Sequence, residues 1–158
     1  MKTFLSYTRT KDTYNAVTEF RDHLAQELSL ISSDSDVFQD RSHIGAGDHF
    51  PEVLEDAIKQ ATVLIVLISP AWLESKWCRK EFELFTNAGR DAARLNRVLP
   101  VLWVNTPALA NPGNDSIATA LAKINYADWR DLRHENWSNA ELGRQVNKLA
   151  ERAVALGG

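Results

Sequence analysis

Glu81 follows Trp77 by four positions, so on a helix the two stand one above the other, in line with Leu84 and Ala88. A carboxylate rising from a mostly apolar stripe is a candidate for electrostatic work on a ligand, with Trp77 offering a flat aromatic face beside it. The ordinary alternative is a solvated glutamate next to a partly buried tryptophan, and spacing alone does not separate the two. Ser6, Asp40 and the loop from Arg41 to Asp48 follow the first two strand-like runs, at the carboxyl ends where open α/β sheets place ligands. Ser6 could equally be a satisfied strand-end hydroxyl and Asp40 a turn residue capping its loop. Arg9 and Arg41 lie near the same ends, although a surface arginine is usually only solvated.

Other constellations are poorer. Gly45-Ala46-Gly47-Asp48-His49-Phe50 lies between a strand and a helix but is a poor dinucleotide phosphate loop, because Phe50 takes the third glycine position and Asp48 would repel phosphate. His23, His43, His49 and His134 share no helical face and join no Cys or Asp cluster with ligand spacing, so no metal is implied. Cys78 sits a quarter-turn from the Trp77 and Glu81 line, toward Phe82 and Phe85, as an inert buried thiol would. No Ser/His/Asp or Cys/His triad has a recognisable context, and Phe4-Leu5-Ser6-Tyr7-Thr8 lacks the paired acids of a phosphate-accepting receiver.

The elements that must position these groups alternate. Thr3 to Tyr7 reads as a strand, and Val17, Phe20, Leu24 and Leu28 then recur at helical spacing. Val37-Phe38-Gln39 is a brief strand, and Phe50, Val53, Leu54, Ala57, Ile58 and Ala61 mark a helix with Pro51 in its first turn. Val63 to Ile68 is apolar throughout, the pattern of a central strand covered on both faces. After Ser69-Pro70 one helix carries Trp77, Cys78, Phe82, Leu84 and Phe85. Val98 to Val104 is the next strand, where Pro100 suggests an edge position or a bulge. Asn105 to Ser116 reads as an exposed loop, Tyr126 to Trp129 as a weak strand, and Ser138 with Glu141 as a capping box opening a last helix with Leu142, Val146, Leu149, Ala153 and Leu156 on one side. The rhythm predicts an α/β, flavodoxin-like three-layer sandwich around a parallel sheet of about five strands.

A chain of 158 residues fits one domain, 1–158, burying roughly 70% of its unfolded surface. The net charge of -3 leaves no basic excess for a phosphate backbone or an anionic membrane, so no nucleic acid and no membrane are expected as partners. A single cysteine excludes an internal disulfide and, with no signal-peptide core at Met1 to Leu5, points to the cytoplasm. Gly157-Gly158 closes the last helix, a natural boundary beyond which a sensor or effector domain would begin in a longer chain.

Three segments, in order, resemble the TIR (Toll/interleukin-1 receptor) domain family. Phe4-Leu5-Ser6-Tyr7 is similar to its opening strand motif, and Phe38-Gln39-Asp40-Arg41 through Ile44-Gly45-Ala46-Gly47 to its BB loop. Ser69-Pro70, Trp72-Leu73 and Ser75-Lys76-Trp77-Cys78-Arg79-Lys80-Glu81 resemble the strand-to-helix stretch of the NAD-cleaving, bacterial-type members, with W-C-x-x-E intact. Where the family has Pro-Gly in the BB loop, this chain has Ala46-Gly47, which predicts a floppier loop.

The resemblance implies an NAD+ nucleosidase that cleaves the nicotinamide-ribose bond to give nicotinamide and ADP-ribose or a cyclic isomer, in immune or defence signalling, with NAD+ as substrate and no cofactor. It implies Glu81 as the catalytic carboxylate; Trp77 beside it and, by their place at the strand ends, Ser6, Asp40, Phe4, Arg9 and Arg41 are then the candidates for the substrate, the arginines at its pyrophosphate. It further implies assembly with other TIR domains through Ile44, Gly45, Ala46, Gly47 and Asp48. The second reading, from another class, is a non-catalytic adaptor acting by TIR-TIR contact alone. Glu81 in its W-C-x-x-E setting favours the enzyme.

Overall fold

The structure is a computed structural model that describes residues 1–9, 11–40, 49–88 and 92–157. Its strands are β1 (Lys2–Ser6), β2 (Asp36–Gln39), β3 (Val63–Ile68), β4 (Val98–Leu102) and β5 (Ala127–Asp128). Its helices are α1 (Lys11–Ile31), α2 (Glu52–Gln60), α3 (Pro70–Glu74), α4 (Lys76–Asn87), α5 (Ser116–Lys123) and α6 (Ala140–Gly157). The strands form one parallel sheet in the order β2-β1-β3-β4-β5, the flavodoxin-like order expected from the sequence.

The alternation of side chains along a strand divides the core in two. On one face Val63, Ile65 and Leu67 meet Val17, Phe20, Leu24 and Leu28 of α1 and Leu142, Val146 and Leu149 of α6. On the other, Leu64, Val66 and Ile68 meet Leu54 and Ile58 of α2, Trp72 of α3, Phe82 and Phe85 of α4, and Leu121 of α5. Because β3 is covered on both sides, all six of its residues are buried. Each such aliphatic side chain contributes roughly 1.5–3 kcal/mol.

Several local expectations need correction. Phe50 and Pro51 stand outside α2, which starts at Glu52, and Val53 is 76% exposed, so its apolar character does not face the core. The helix expected after Ser69-Pro70 is two helices broken at Ser75, whose backbone N–H donates to Trp72 O while its hydroxyl accepts from Cys78 N. One residue thus ends α3 and caps α4, which lets α4 leave at a new angle. β4 is an interior strand despite Pro100, which pairs with Val66 of β3. Trp103 N donates to Ile68 O and Leu102 O accepts from Trp129 N, so alternation turns Pro100 toward β5, whose pairing begins only at Val101. The missing donor therefore falls where there is no ladder to break. The capping box at Ser138 does not form: Asn139 accepts from Glu141 N, and the Glu141 carboxylate turns to Arg144 and Gln145.

Candidate active site

Two arginines fix α4, the helix that carries Glu81. Arg79 makes paired hydrogen bonds of 2.9 Å to Asp115, which also caps α5 by accepting from Ile117 N and Ala118 N. The Arg79 guanidinium, followed by those backbone donors, holds the Asp115 carboxyl down at about 2. Arg94 donates to Phe85 O (2.7 Å) at the end of α4 and to Ala61 O (3.0 Å) beyond α2, with its guanidinium over the Phe85 ring. Neither tie was legible in the sequence, because each joins residues far apart along the chain.

So anchored, α4 buries the stripe Cys78, Glu81, Phe82 and Phe85. Glu81 is 0% exposed, and neither carboxylate oxygen has a hydrogen-bond partner among the described residues. Among the described residues the cation paired with it is Arg9, with Nη2 3.7 Å from Oε1. Burial pushes the Glu81 carboxyl up to about 8, with Arg9 opposing that rise and the Asp40 charge adding to it. Such an acid keeps its proton above the pH at which an ordinary glutamate loses it.

Around it stand the ends of β1 and β2. Arg9 donates to Asp40 Oδ2 (2.8 Å) and to its carbonyl (3.2 Å), so it lies against Asp40 and Glu81 together. The Tyr7 hydroxyl donates to Asp40 O at 2.7 Å, and Gln39 donates to the Tyr7 hydroxyl. Ser6 is fully buried, and its hydroxyl accepts from Trp72 Nε1 at 3.0 Å. The Cys78 thiol donates to Tyr7 O and is pushed up to about 12 by burial and then by the Glu81 charge, the condition of an inert thiol.

Of the residues singled out in the sequence, Ser6, Arg9, Asp40 and Glu81 thus fall in one neighbourhood. Trp77 stands at its margin, half-buried and stacked on Phe50 at 4.6 Å, with Lys80 over the Phe50 ring. Phe4 lies deeper, fully buried and stacked on Phe38. Arg41, Ile44, Gly45, Ala46, Gly47 and Asp48 lie outside the described residues. Tyr7 and Trp72 are members that sequence reasoning passed over, although both stand inside the quoted segments Phe4-Leu5-Ser6-Tyr7 and Trp72-Leu73. A groove of about 470 Å³ lies over the outer surface of α4, lined by Lys59, Lys76, Lys80 and Glu83, and Glu81 is not among its lining residues. Among the described residues no group of His, Cys, Asp and Glu could hold a metal ion, and no helix is long and apolar enough to cross a membrane.

No curated protein matches the chain. Among solved structures it is similar to the TIR domains of the activated Roq1 resistosome directly recognizing the pathogen effector XopQ, at 18% identity and a TM-score of 0.49, covering 95% of this chain and 83% of that one. The sequence itself matches the family model described as TIR domain over residues 3–146, from the opening strand into the last helix. A match of that extent takes in every element that positions Glu81, and the chain belongs to the TIR domain family.

Proposed function

We propose that the chain is an NAD+ glycohydrolase in which Glu81 acts on the nicotinamide riboside. The observation that carries this reading is the Glu81 carboxyl itself, fully buried beside the carboxyl ends of β1 and β2 with no hydrogen bond among the described residues. A purely structural position would favour leucine or glutamine there, since an unsatisfied buried acid destabilises the fold.

The reaction asks little of the protein. Most glycosidases need a second carboxylic acid because an alkoxide-like leaving group must be protonated as the oxocarbenium ion forms. Nicotinamide leaves NAD+ as a neutral molecule from a cationic pyridinium, so the bond breaks without a proton donor. What remains is to hold the ribose through its hydroxyls and to place a negative charge near the positive charge growing at the anomeric carbon, which ionised Glu81 supplies. Water attack then gives ADP-ribose, and attack by the adenine ring gives a cyclic isomer. Trp77, stacked with Phe50 at the margin, offers an aromatic face to a substrate ring. NAD+ is consumed as substrate, and no cofactor enters.

With 0% exposure, Glu81 must be uncovered before the ribose reaches it. We assign that step to stacking with further TIR domains through residues 44–48, in a cytoplasmic immune or defence signalling role. The same burial favours a second reading, in which the domain acts by TIR-TIR association alone. Incubating concentrated protein with NAD+ and quantifying nicotinamide separates the two. Release by the wild type that falls at least a hundredfold in folded Glu81→Gln supports the enzyme. No release at any protein concentration, or equal release by both proteins, overturns it.

A further inference from the structure

We propose that Arg9 is a positioning residue shared between two carboxylates: held by Asp40 it leaves Glu81 uncharged, and moved onto Glu81 it fixes that side chain as the anion used on substrate. The inference rests on the reading of Glu81 as the working carboxylate, and it assigns to Arg9 a task other than contact with the substrate pyrophosphate.

The geometry is that of a group within reach of two partners. Arg9 Nη2 is 2.8 Å from Asp40 Oδ2 and 3.7 Å from Glu81 Oε1, so a shift of about 1 Å converts a contact with Glu81 into a hydrogen bond. A second donor, Nε, reaches the Asp40 carbonyl at 3.2 Å. The guanidinium lies over the Tyr7 ring, and the Tyr7 hydroxyl fixes the Asp40 backbone, so the side chain has a firm surface to slide along. Its side chain is 18% exposed whereas Glu81 has no exposure, which makes Arg9 the route by which events at the surface reach the buried acid.

Within the described residues the charged groups acting on Glu81 are Arg9, which follows β1, and Asp40, which follows β2; the Cys78 thiol on its own helix feels the Glu81 charge in turn, and the Tyr7 phenol lies against Arg9 and Asp40. Arg9 and Asp40 act in opposite senses. Removing the Asp40 charge should therefore favour ionised Glu81 twice over, by ending repulsion and by releasing Arg9. Removing Arg9 should favour the neutral acid. A residue that merely braces the fold would not give opposite signs.

The test is the titration of Glu81, followed by NMR of protein carrying ¹³C-labelled glutamate side-chain carboxyls, with the signal assigned by its loss in Glu81→Gln. Circular dichroism reports folding of each variant. Asp40→Asn is expected to raise the acid dissociation constant of Glu81 at least tenfold and Arg9→Gln to lower it at least tenfold, with Arg9→Lys, which keeps the charge, displaced less. The low-pH limb of nicotinamide release should move in the same directions. If the titration shifts as stated while neither the wild type nor any variant releases nicotinamide, the coupling stands and the NAD+ reading fails. If both substitutions move the titration the same way, or neither moves it, the sharing of Arg9 is overturned whatever the activity.

Discussion

Glu81→Gln is expected to stabilise the fold, and to do so increasingly as pH rises. The carboxyl has an ordinary value of 4.5 and is pushed up to about 8 in the folded chain by burial. A folded value above the unfolded one means that the native state binds the proton more tightly. The neutral acid's contribution is therefore complete below about 4.5 and is lost as pH rises through about 8, at about 1.4 kcal/mol per pH unit between those limits. By pH 7 the wild type has lost on the order of 3 kcal/mol, against a typical total of roughly 5–15 kcal/mol. Glutamine has nearly the shape of the neutral acid and does not ionise, and its carbonyl still faces Arg9. Urea melts of both proteins from pH 5 to pH 9 should show the stability gap widening by roughly 3 kcal/mol up to pH 8 and then levelling. A gap independent of pH would refute the reasoning, since it would mean that Glu81 titrates alike in the folded and unfolded chains.

Three further outcomes follow from the same geometry. Asp115→Ala removes the α5 cap and both hydrogen bonds to Arg79, and should cost about 1–2 kcal/mol in urea melts at neutral pH; because the carboxyl is held down at about 2, its contribution is present above the ordinary 3.8 and lost as pH falls through about 2. Trp77→Ala, at a half-buried ring stacked on Phe50, should cost less folding free energy than Trp72→Ala, for which the loss of a fully buried indole predicts roughly 3–5 kcal/mol, yet should impair nicotinamide release more than its thermal melt suggests. If assembly is what uncovers Glu81, as proposed, nicotinamide release per molecule should climb with protein concentration over a wide dilution series followed by light scattering; constant specific activity from a strict monomer would remove the assembly requirement.

The sheet was legible where one physical cause dominates. Val63 to Ile68 is apolar on both faces because helices cover both, and the strand came out with the bounds read from the sequence. The spacing of Val17, Phe20, Leu24 and Leu28 likewise gave α1 its buried side. Legibility failed where a side chain or a distant residue overrides the local pattern. Ser75 divides one apparent helix into two, Asn139 takes the cap expected of Ser138, and Pro100 is tolerated inside the sheet because β5 is only two residues long. Arg79 and Arg94 carry no local pattern that marks their partners, and only the fold brings Asp115 and the carbonyls of Phe85 and Ala61 to them.

The placement of Glu81 shows the limit most clearly. Positions four apart on a helix differ by about 40° in direction, so a shared face for Trp77 and Glu81 is correct as far as it goes. The core, however, lies along Cys78, Phe82 and Phe85, and that direction passes closer to Glu81 than to Trp77. Hence the carboxylate is sealed inside while the ring remains at the margin, stacked on Phe50. Periodicity registers polar against apolar positions and would count Glu81 as solvent-facing. The chain instead keeps a group there that weakens the fold at neutral pH, with Arg9 and Asp40 set to decide whether it carries a charge. A buried acid whose ionisation is governed by two groups at its edge has a physical use only if something arrives to change the balance between them, and that makes Arg9 and Asp40, as much as Glu81, the residues on which the proposed chemistry turns.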